Sequence, residues 1–284
     1  RNYFKVLGII FCEDEKEMMK ANLDPKFSSF KEILKVWKVR NLSLIGKNVV
    51  IKSLAISKLI YACSLIHVEE LFIKEVQKCI VNFTWGSDIP KVKSSVMYRA
   101  ICNGGLKLLH FKSQITALLL NWIKRLFNNR NSKWKITFQK FINHMKVHDL
   151  FFSRCFVTFD TTQLPMFYQD LINTWKEIQS KHYPCTGTDI MNEMLWYNNF
   201  ITIEGKPVFL KHWYENGVKF IRDIVDDNGV FISIDELRTK YNIATNFLEY
   251  YSIRSAIPGH WKQQILNDHI KIPAEIPVIF KIGR

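Results

Sequence analysis

Two adjacent aspartates, Asp226 and Asp227, come closest to a catalytic pattern in this sequence. Polymerases place paired carboxylates on a hairpin, where the carboxylates hold two metal ions for phosphoryl transfer. Here Asn228 and Gly229 follow directly, which is a strong turn signal, and no third carboxylate is identifiable on an upstream strand. We therefore expect a turn at residues 226–229.

Two histidines, His144 and His148, have a second metal-ligand pattern. Their spacing on a helix would place both imidazoles on one face, beside Asp149. Residue 145 is Met where zinc hydrolases use Glu, and no distant third ligand can be named. We expect surface or capping histidines. A metal-dependent nuclease that uses the two aspartates or these histidines remains an alternative.

Other common catalytic and cofactor motifs are missing from the sequence. The segments Gly46-Lys47-Asn48 and Gly205-Lys206-Pro207 lack the upstream glycine and the hydroxyl residue of a phosphate loop. No Gly-x-Ser-x-Gly elbow occurs, and the six cysteines are too scattered for a zinc site or a disulfide scaffold. The sequence predicts no catalytic residues, no metal site and no cofactor in this chain.

Helices are the main elements that the hydrophobic pattern predicts in the first half. Residues 4–11 are predicted to form a buried strand, and a capping box at residues 29–32 is predicted to begin the first long helix. Apolar spacing predicts further helices at residues 48–66, 69–83 and 115–126. Short loops between such helices are typical of a bundle.

The second half mixes helices with turns. Pro165 is predicted to open a helix, and a β-hairpin is predicted across residues 200–210. Helices at residues 235–241 and 246–256 have the outline of a helix-turn-helix, but their acidic surroundings favour a packing pair. We therefore expect a mainly α fold, a helical bundle with a short N-terminal strand, followed by a smaller α+β region containing a β-hairpin.

The positive charge is confined to one half of the chain. The 284 residues carry a net charge of +14, yet residues 1–150 hold 26 Lys and Arg against 11 Asp and Glu, whereas residues 151–284 hold 14 against 15. Such an asymmetry favours a polyanionic partner, nucleic acid first, over a merely solubilising surface. The run at 130–140 alternates cations with aromatic residues. This pattern fits either a site that binds phosphates and stacks bases or the two faces of one amphipathic helix.

Composition and the chain start suggest where the protein works. Hydrophobic residues make up 48% of the chain, which is typical of a folded protein. We see no signal peptide and no apolar run near the roughly 18 residues of a membrane span, so we expect a soluble intracellular protein of the cytoplasm and nucleus with no membrane partner. Because a strand follows Arg1 at once, we expect the chain to begin within a longer protein.

An ordered series of segments resembles the region after the polymerase core in LINE-type (non-LTR) retrotransposon reverse transcriptases. The longest are WKVRNLSLIGK at 37–47, GKPVF at 205–209 and NGVFIS at 228–233. The remaining matches, in order, are residues 50–54, 57–61, 83–85, 104–106, Gln114, Ala117, Leu118, Trp122, Ile123, and residues 236–237, 240–243 and 246–248. The Cys/His knuckle that some relatives carry has no counterpart here.

This resemblance implies three regions and a noncatalytic role. Residues 1–27 would end the palm and link it to a basic thumb-like domain at 28–145, and an α+β connector would follow at 146–284. The catalytic aspartates, and the Mg that they bind, would belong to a missing palm before residue 1, so no activity is expected of this chain alone. The implied partners are an RNA/DNA hybrid or duplex and the fingers–palm region of the polymerase.

The resemblance and the charge distribution together indicate which cations follow the nucleic-acid backbone. A thumb contacts phosphates without reading sequence, for which Lys and Arg on helices are suited. Our hypothesis assigns nucleic-acid binding to Arg40, Lys47, Lys52, Lys58, Lys91, Lys93, Lys107, Lys112, Lys124 and Arg125. The alternative is a structural or interaction remnant of a decayed or domesticated retroelement that folds without binding a ligand.

Overall fold

The computed structural model describes residues 3–89, 91–128, 132–142, 145–154 and 161–268. The fold is mainly helical with two small antiparallel sheets, which confirms the predicted fold class. The chain divides into two compact units. The first unit comprises Arg1–Ile123 and Pro165–Leu171, and the second comprises Lys124–Leu164 and Ile172–Arg284. None of the helices in the described part of the chain is long and apolar enough to cross a bilayer.

A two-stranded hairpin opens the first unit, so the predicted single buried strand is wrong. Strand β1 (Phe4–Val6) pairs antiparallel with β2 (Ile9–Phe11). Leu7 and Gly8 turn the chain with φ of 48° and 82°, a left-handed turn that glycine favours. β1 is exposed, while Ile9 of β2 is buried. A continuous apolar run does not reveal where the chain reverses, and here the reversal lies at the glycine.

Helix α1 (Glu15–Lys38) begins well before the capping box that was predicted to start it, so that predicted start is wrong. Asp14 caps the helix, since its carboxylate accepts the N–H groups of Lys16 and Glu17. The helix continues through Pro25, and the Ser29 hydroxyl donates to the Pro25 carbonyl one turn back instead of capping. Burial of apolar side chains along α1 offsets the proline defect; they are Met19, Leu23, Phe27, Phe30 and Leu34.

The second predicted helix exists but contains a π-helical turn. Helix α2 (Leu44–Val50) is capped by Ser43, whose hydroxyl accepts the Gly46 N–H. The π-helical turn (Ile51–Ala55) follows, and α3 (Ser57–Cys63) completes the run. An inserted π turn rotates the side chains after it relative to those before it, so the helix face deduced for an uninterrupted α-helix does not apply across it.

The remaining helices of the first unit match their predictions closely. Helix α4 (Glu70–Trp85) ends at Gly86, which has a left-handed φ of 76°. A short helix, α5 (Ser94–Met97), leads into the 3₁₀ turn Ile101–Asn103. Helix α6 (Phe111–Leu126) carries the predicted apolar stripe, with Ile115, Leu119 and Ile123 buried.

The second unit consists of short helices around a tryptophan-rich core. Trp196, Trp213 and Trp261 are each 0% exposed. The predicted hairpin is present as two-residue strands, and the helix predicted at residues 235–241 is present with a capping box at Ser233. The elements from residue 133 onward are α7 (Lys133–Lys140), α8 (Val147–Leu150), α9 (Met166–Lys181), α10 (Gly187–Met191), β3 (Thr202–Ile203), β4 (Lys206–Pro207), α11 (Lys211–Glu215), the 3₁₀ turn Ile221–Ile224, α12 (Ile234–Tyr241), α13 (Phe247–Ala256) and α14 (Gly259–Asn267).

Candidate nucleic-acid interface

Three cationic residues of the first unit are brought together by backbone contacts, and we call them the basic cluster: Lys52, Arg99 and Lys107. The Lys52 ammonium donates to the Lys107 carbonyl at 2.6 Å, and the Lys107 N–H donates to the Arg99 carbonyl at 2.8 Å. All three residues are exposed. The π-helical turn and the segment after α5 thus bring three exposed cationic residues near one another in the backbone.

The loop that carries Lys107 is shaped by two glycines. Gly104 has a left-handed φ of 72°, and a Cβ on Gly105 would lie 2.2 Å from the Arg99 carbonyl oxygen. Only a residue without a side chain permits this close backbone approach. Lys107 itself has φ of 50°, an uncommon value for a lysine. The glycine pair therefore sets the backbone distance between two members of the basic cluster.

Asn48 holds this loop from the side of α2. Its side-chain amide donates to the carbonyls of Leu106 and Lys107 at 2.9 and 3.1 Å. Its own carbonyl oxygen is buried and has no hydrogen-bond partner within the described residues. Since Asn48 is itself buried, these bonds are shielded from water and fix the position of Lys107.

The electrostatics of Lys52 follow from this arrangement. Burial, and then the positive charge of Lys107, lower the pKa of Lys52 below its ordinary value. Both effects disfavour the charged ammonium, and a bound anion would oppose both. A phosphate beside Lys52 and Lys107 would be attracted by both ammonium groups.

A second group of cations lines a groove between α1 and α4, and we call it the lysine groove: Lys31, Lys35, Lys38 and Lys78. The groove has a volume of about 460 Å³. The Lys38 ammonium donates to Asn82 at 3.1 Å, and Lys78 forms an exposed ion pair with Asp88 at 3.0 Å.

Binding was not predicted for the lysine groove from the sequence, although the α1 lysines were expected to face solvent. The i, i+4, i+7 spacing of residues 31, 35 and 38 was the available signal, because it places them on one helix face. Lys78 joins them through the packing of α4 against α1, which their own sequence spacing does not encode.

Among the predicted binding residues, Lys47 is half-buried in an internal contact. Its ammonium donates to the Thr84 carbonyl at 2.9 Å, in the last turn of α4. Carbonyls at a helix C-terminus lack intrahelical partners and carry partial negative charge, so a lysine there stabilises the helix. Lys47 thus acts as a helix cap in this structure.

The other predicted residues of the first unit are exposed. The Arg40 guanidinium lies 4.7 Å from the centre of the Trp37 ring, and Lys112 forms an ion pair with Glu70 at 3.3 Å. No carboxylate of the described residues pairs with the exposed ammonium groups of Lys58, Lys91 and Lys93. Lys124 and Arg125, also exposed, belong to the second unit.

The aspartate pair of the second unit forms the predicted turn. The Asp226 carboxylate accepts the N–H groups of Asn228 and Val230 at 3.0 and 2.7 Å, and Val225 forms an isolated bridge with Phe231. These bonds occupy the carboxylate as a turn requires. The turn prediction is confirmed.

The histidine pattern is described only in part, since His144 lies outside the described residues. His148 is half-exposed, its ring centre lies 4.8 Å from that of Phe127, and its Nδ1 lies 3.4 Å from an oxygen of Asp149. A group of three His, Cys, Asp or Glu side chains that could hold a metal ion does not occur among the described residues.

Asp149 is a buried acid of the second unit that receives several hydrogen bonds. Tyr214 donates to it at 2.6 Å and Lys219 at 2.7 Å. Burial raises the pKa of Asp149, but hydrogen bonds from His148, Lys219 and Tyr214 outweigh it and bring the pKa to about 2. A carboxylate with this pKa is ionised at neutral pH and serves as an anchor for surrounding elements.

Comparisons with known proteins link the chain to a transposon. No family model matches the sequence. The chain is 27% identical over 175 residues to a protein of Xenopus laevis described as the Transposon TX1 uncharacterized 149 kDa protein. The match covers 57% of this chain and 13% of that protein, so the chain corresponds to a small part of its relative. This similarity supports a transposon-related origin for the chain.

Proposed function

We propose that the first unit grips the sugar–phosphate backbone of an RNA/DNA hybrid or duplex as the noncatalytic thumb of a LINE-type retroelement polymerase. The basic cluster is the observation that carries the proposal. The Lys52 ammonium donates to the Lys107 carbonyl, and the backbone of Lys107 is bonded to that of Arg99, although like charges repel. No ion pair of these three residues with a carboxylate occurs among the described residues. A polyanionic ligand turns this repulsion into favourable binding energy.

The backbone, and not base identity, is the expected target. Lysine ammonium groups bind phosphates as point charges and carry no sequence information. A surface that combines the basic cluster with the exposed Lys58, Lys91 and Lys93 suits contact with successive phosphates. We do not include Lys47 among the residues proposed to contact phosphates, because its ammonium stabilises α4.

The similarity to a transposon protein supports the retroelement part of the proposal. The fingers–palm region would be the partner of this chain, and the catalytic aspartates with their Mg would lie there. In the described part of the chain no three acidic, His or Cys side chains come together to hold a metal ion, and Asp226 directs one carboxylate oxygen at two backbone N–H groups. We therefore assign no chemical step to the present chain.

The test is a salt titration of binding to a fluorescently labelled RNA/DNA hybrid, measured by anisotropy. The K52E/K107E variant should bind more weakly than the wild type. The slope of log affinity against log salt should fall by roughly two, about one for each phosphate that the variant no longer neutralises. The matched control is K206E/K211E, which changes the net charge equally at exposed lysines of the second unit.

Two results would contradict the proposal. Equal loss of affinity in both double variants would mean that net charge alone governs binding. Absence of binding by the wild type at low salt would favour the alternative, a structural remnant of a retroelement, and the basic half would then serve solubility.

A further inference from the structure

Two aromatic side chains stand in solvent on one face of α13, and we call them the aromatic pair: Phe247 and Tyr251. They are 60% and 42% exposed. Their ring centres lie 4.1 Å apart with the planes tilted by 37°. Aromatic rings contribute most when buried, so an exposed pair offers apolar surface on which a planar ligand can stack.

A cation lies beside the aromatic pair. The Arg254 guanidinium, one turn further along α13, lies 5.9 Å from the Tyr251 ring centre and 5.2 Å from that of Phe231. A positive charge and two exposed rings are thus presented by the same helix.

The nearby carboxylates do not neutralise Arg254. An oxygen of Glu249 accepts the Thr245 hydroxyl at 3.1 Å and lies 3.4 Å from His212 Nε2. Glu236 accepts the Ser233 N–H at 2.7 Å within its capping box. No carboxylate of the described residues forms an ion pair with Arg254. The positive charge beside the aromatic pair is therefore available to an anion.

We propose that this face of α13 binds single-stranded nucleic acid, with bases stacked on Phe247 and Tyr251 and a phosphate held by Arg254. Aromatic rings interleaved with cations serve both parts of a nucleotide, because every base has a flat face and every linkage carries a charge. Duplexes keep their bases stacked on one another, so a single strand is the fitting ligand. The site is separate from the duplex grip assigned to the first unit.

The experiment separates base stacking from general attraction to phosphate. The full chain carrying K52E/K107E is titrated with a single strand containing bases and with an abasic strand of equal length, in both RNA and DNA form. The base-containing strand should bind more tightly. Removing both rings, in F247A/Y251A, should weaken that binding about fivefold to a hundredfold and leave abasic binding unchanged. L248A is the matched control, since Leu248 is 75% exposed on the same helix.

Further variants keep the test decisive. Y251F retains the ring and should bind as the parent does, whereas R254A should weaken binding of both strands. The proposal is overturned if bases add nothing to affinity, or if L248A lowers affinity as much as loss of the rings. Because the basic cluster is already reversed in every sample, failure of the duplex proposal does not change these outcomes.

Discussion

The buried ion pair between Arg154 and Glu193 should be the most sensitive polar contact of the second unit. Arg154 Nε donates to Glu193 Oε2 at 2.5 Å, and Nη2 donates to Oε1 at 2.6 Å. The remaining guanidinium nitrogen donates to the carbonyls of Gln179 and His182 at 3.1 and 2.8 Å. The side chains are 2% and 10% exposed. The guanidinium therefore ties three segments of the chain together.

Replacing the arginine leaves a buried carboxylate with almost no compensation. In R154M, Glu193 would retain only the long 3.4 Å hydrogen bond from Asn198. The His182 carbonyl would lose the Arg154 donor, whereas the Gln179 carbonyl would keep the His182 N–H at 3.1 Å. Breaking a buried pair by removing one partner costs about 3–5 kcal/mol, and we expect this range. The double variant R154M/E193L should be less destabilised than the sum of its single changes, because no charge remains buried.

Urea unfolding followed by near-ultraviolet circular dichroism measures the effect, and an unchanged m value would show that the same transition is compared. K181M is the matched control: Lys181 pairs with Glu177 at 2.7 Å, but both side chains are mostly exposed. That change should cost less than about 1 kcal/mol. A cost for R154M as small as that of K181M would refute the reasoning, since water would then be screening the pair.

Two further predictions concern the first unit. G105A should lower the free energy of unfolding by about 2 kcal/mol, because the added Cβ would press on the Arg99 carbonyl. G46A is the control, since a Cβ at Gly46 would be in ordinary contact at 3.5 Å. Equal urea midpoints for the two variants would contradict this prediction. A hydrogen bond from His67 to Asp170 at 2.7 Å raises the pKa of His67, so stability from this pair is complete below about pH 6.5 and falls as the pH rises through the raised pKa. H67Q should remove that part of the pH dependence, and unfolding curves from pH 5 to 9 that stay parallel would show the pair to be inert.

Local signals predicted elements correctly where the local chain alone determines them. The capping box at Ser233 and Glu236 begins α12, and the turn at Asp226 closes on its own backbone N–H groups. Gly86 ends α4, as its position after an apolar helix predicts. In each case the partners lie within a few residues, so the sequence contains the whole interaction.

Local signals failed where packing overrides them. The capping box at residues 29–32 predicted a helix start within α1, yet the helix passes through these residues and through Pro25. Burial of Phe27, Phe30 and Leu34 stabilises a continuous helix by more free energy than the proline in its interior costs. The hydrophobic pattern also did not predict that residues 4–11 fold back into a hairpin. β1 stays exposed despite its apolar residues.

The excess of positive charge in the first half is a property of the sequence alone, and it was sufficient to suggest a polyanionic partner. Only the tertiary structure decides which lysine side chains are engaged in internal contacts and which are exposed. Lys47 reaches a carbonyl 37 residues away and Lys52 one 55 residues away, so neither contact has a sequence signal. A lysine side chain is long and flexible, and its role depends on the acceptor that folding brings within reach.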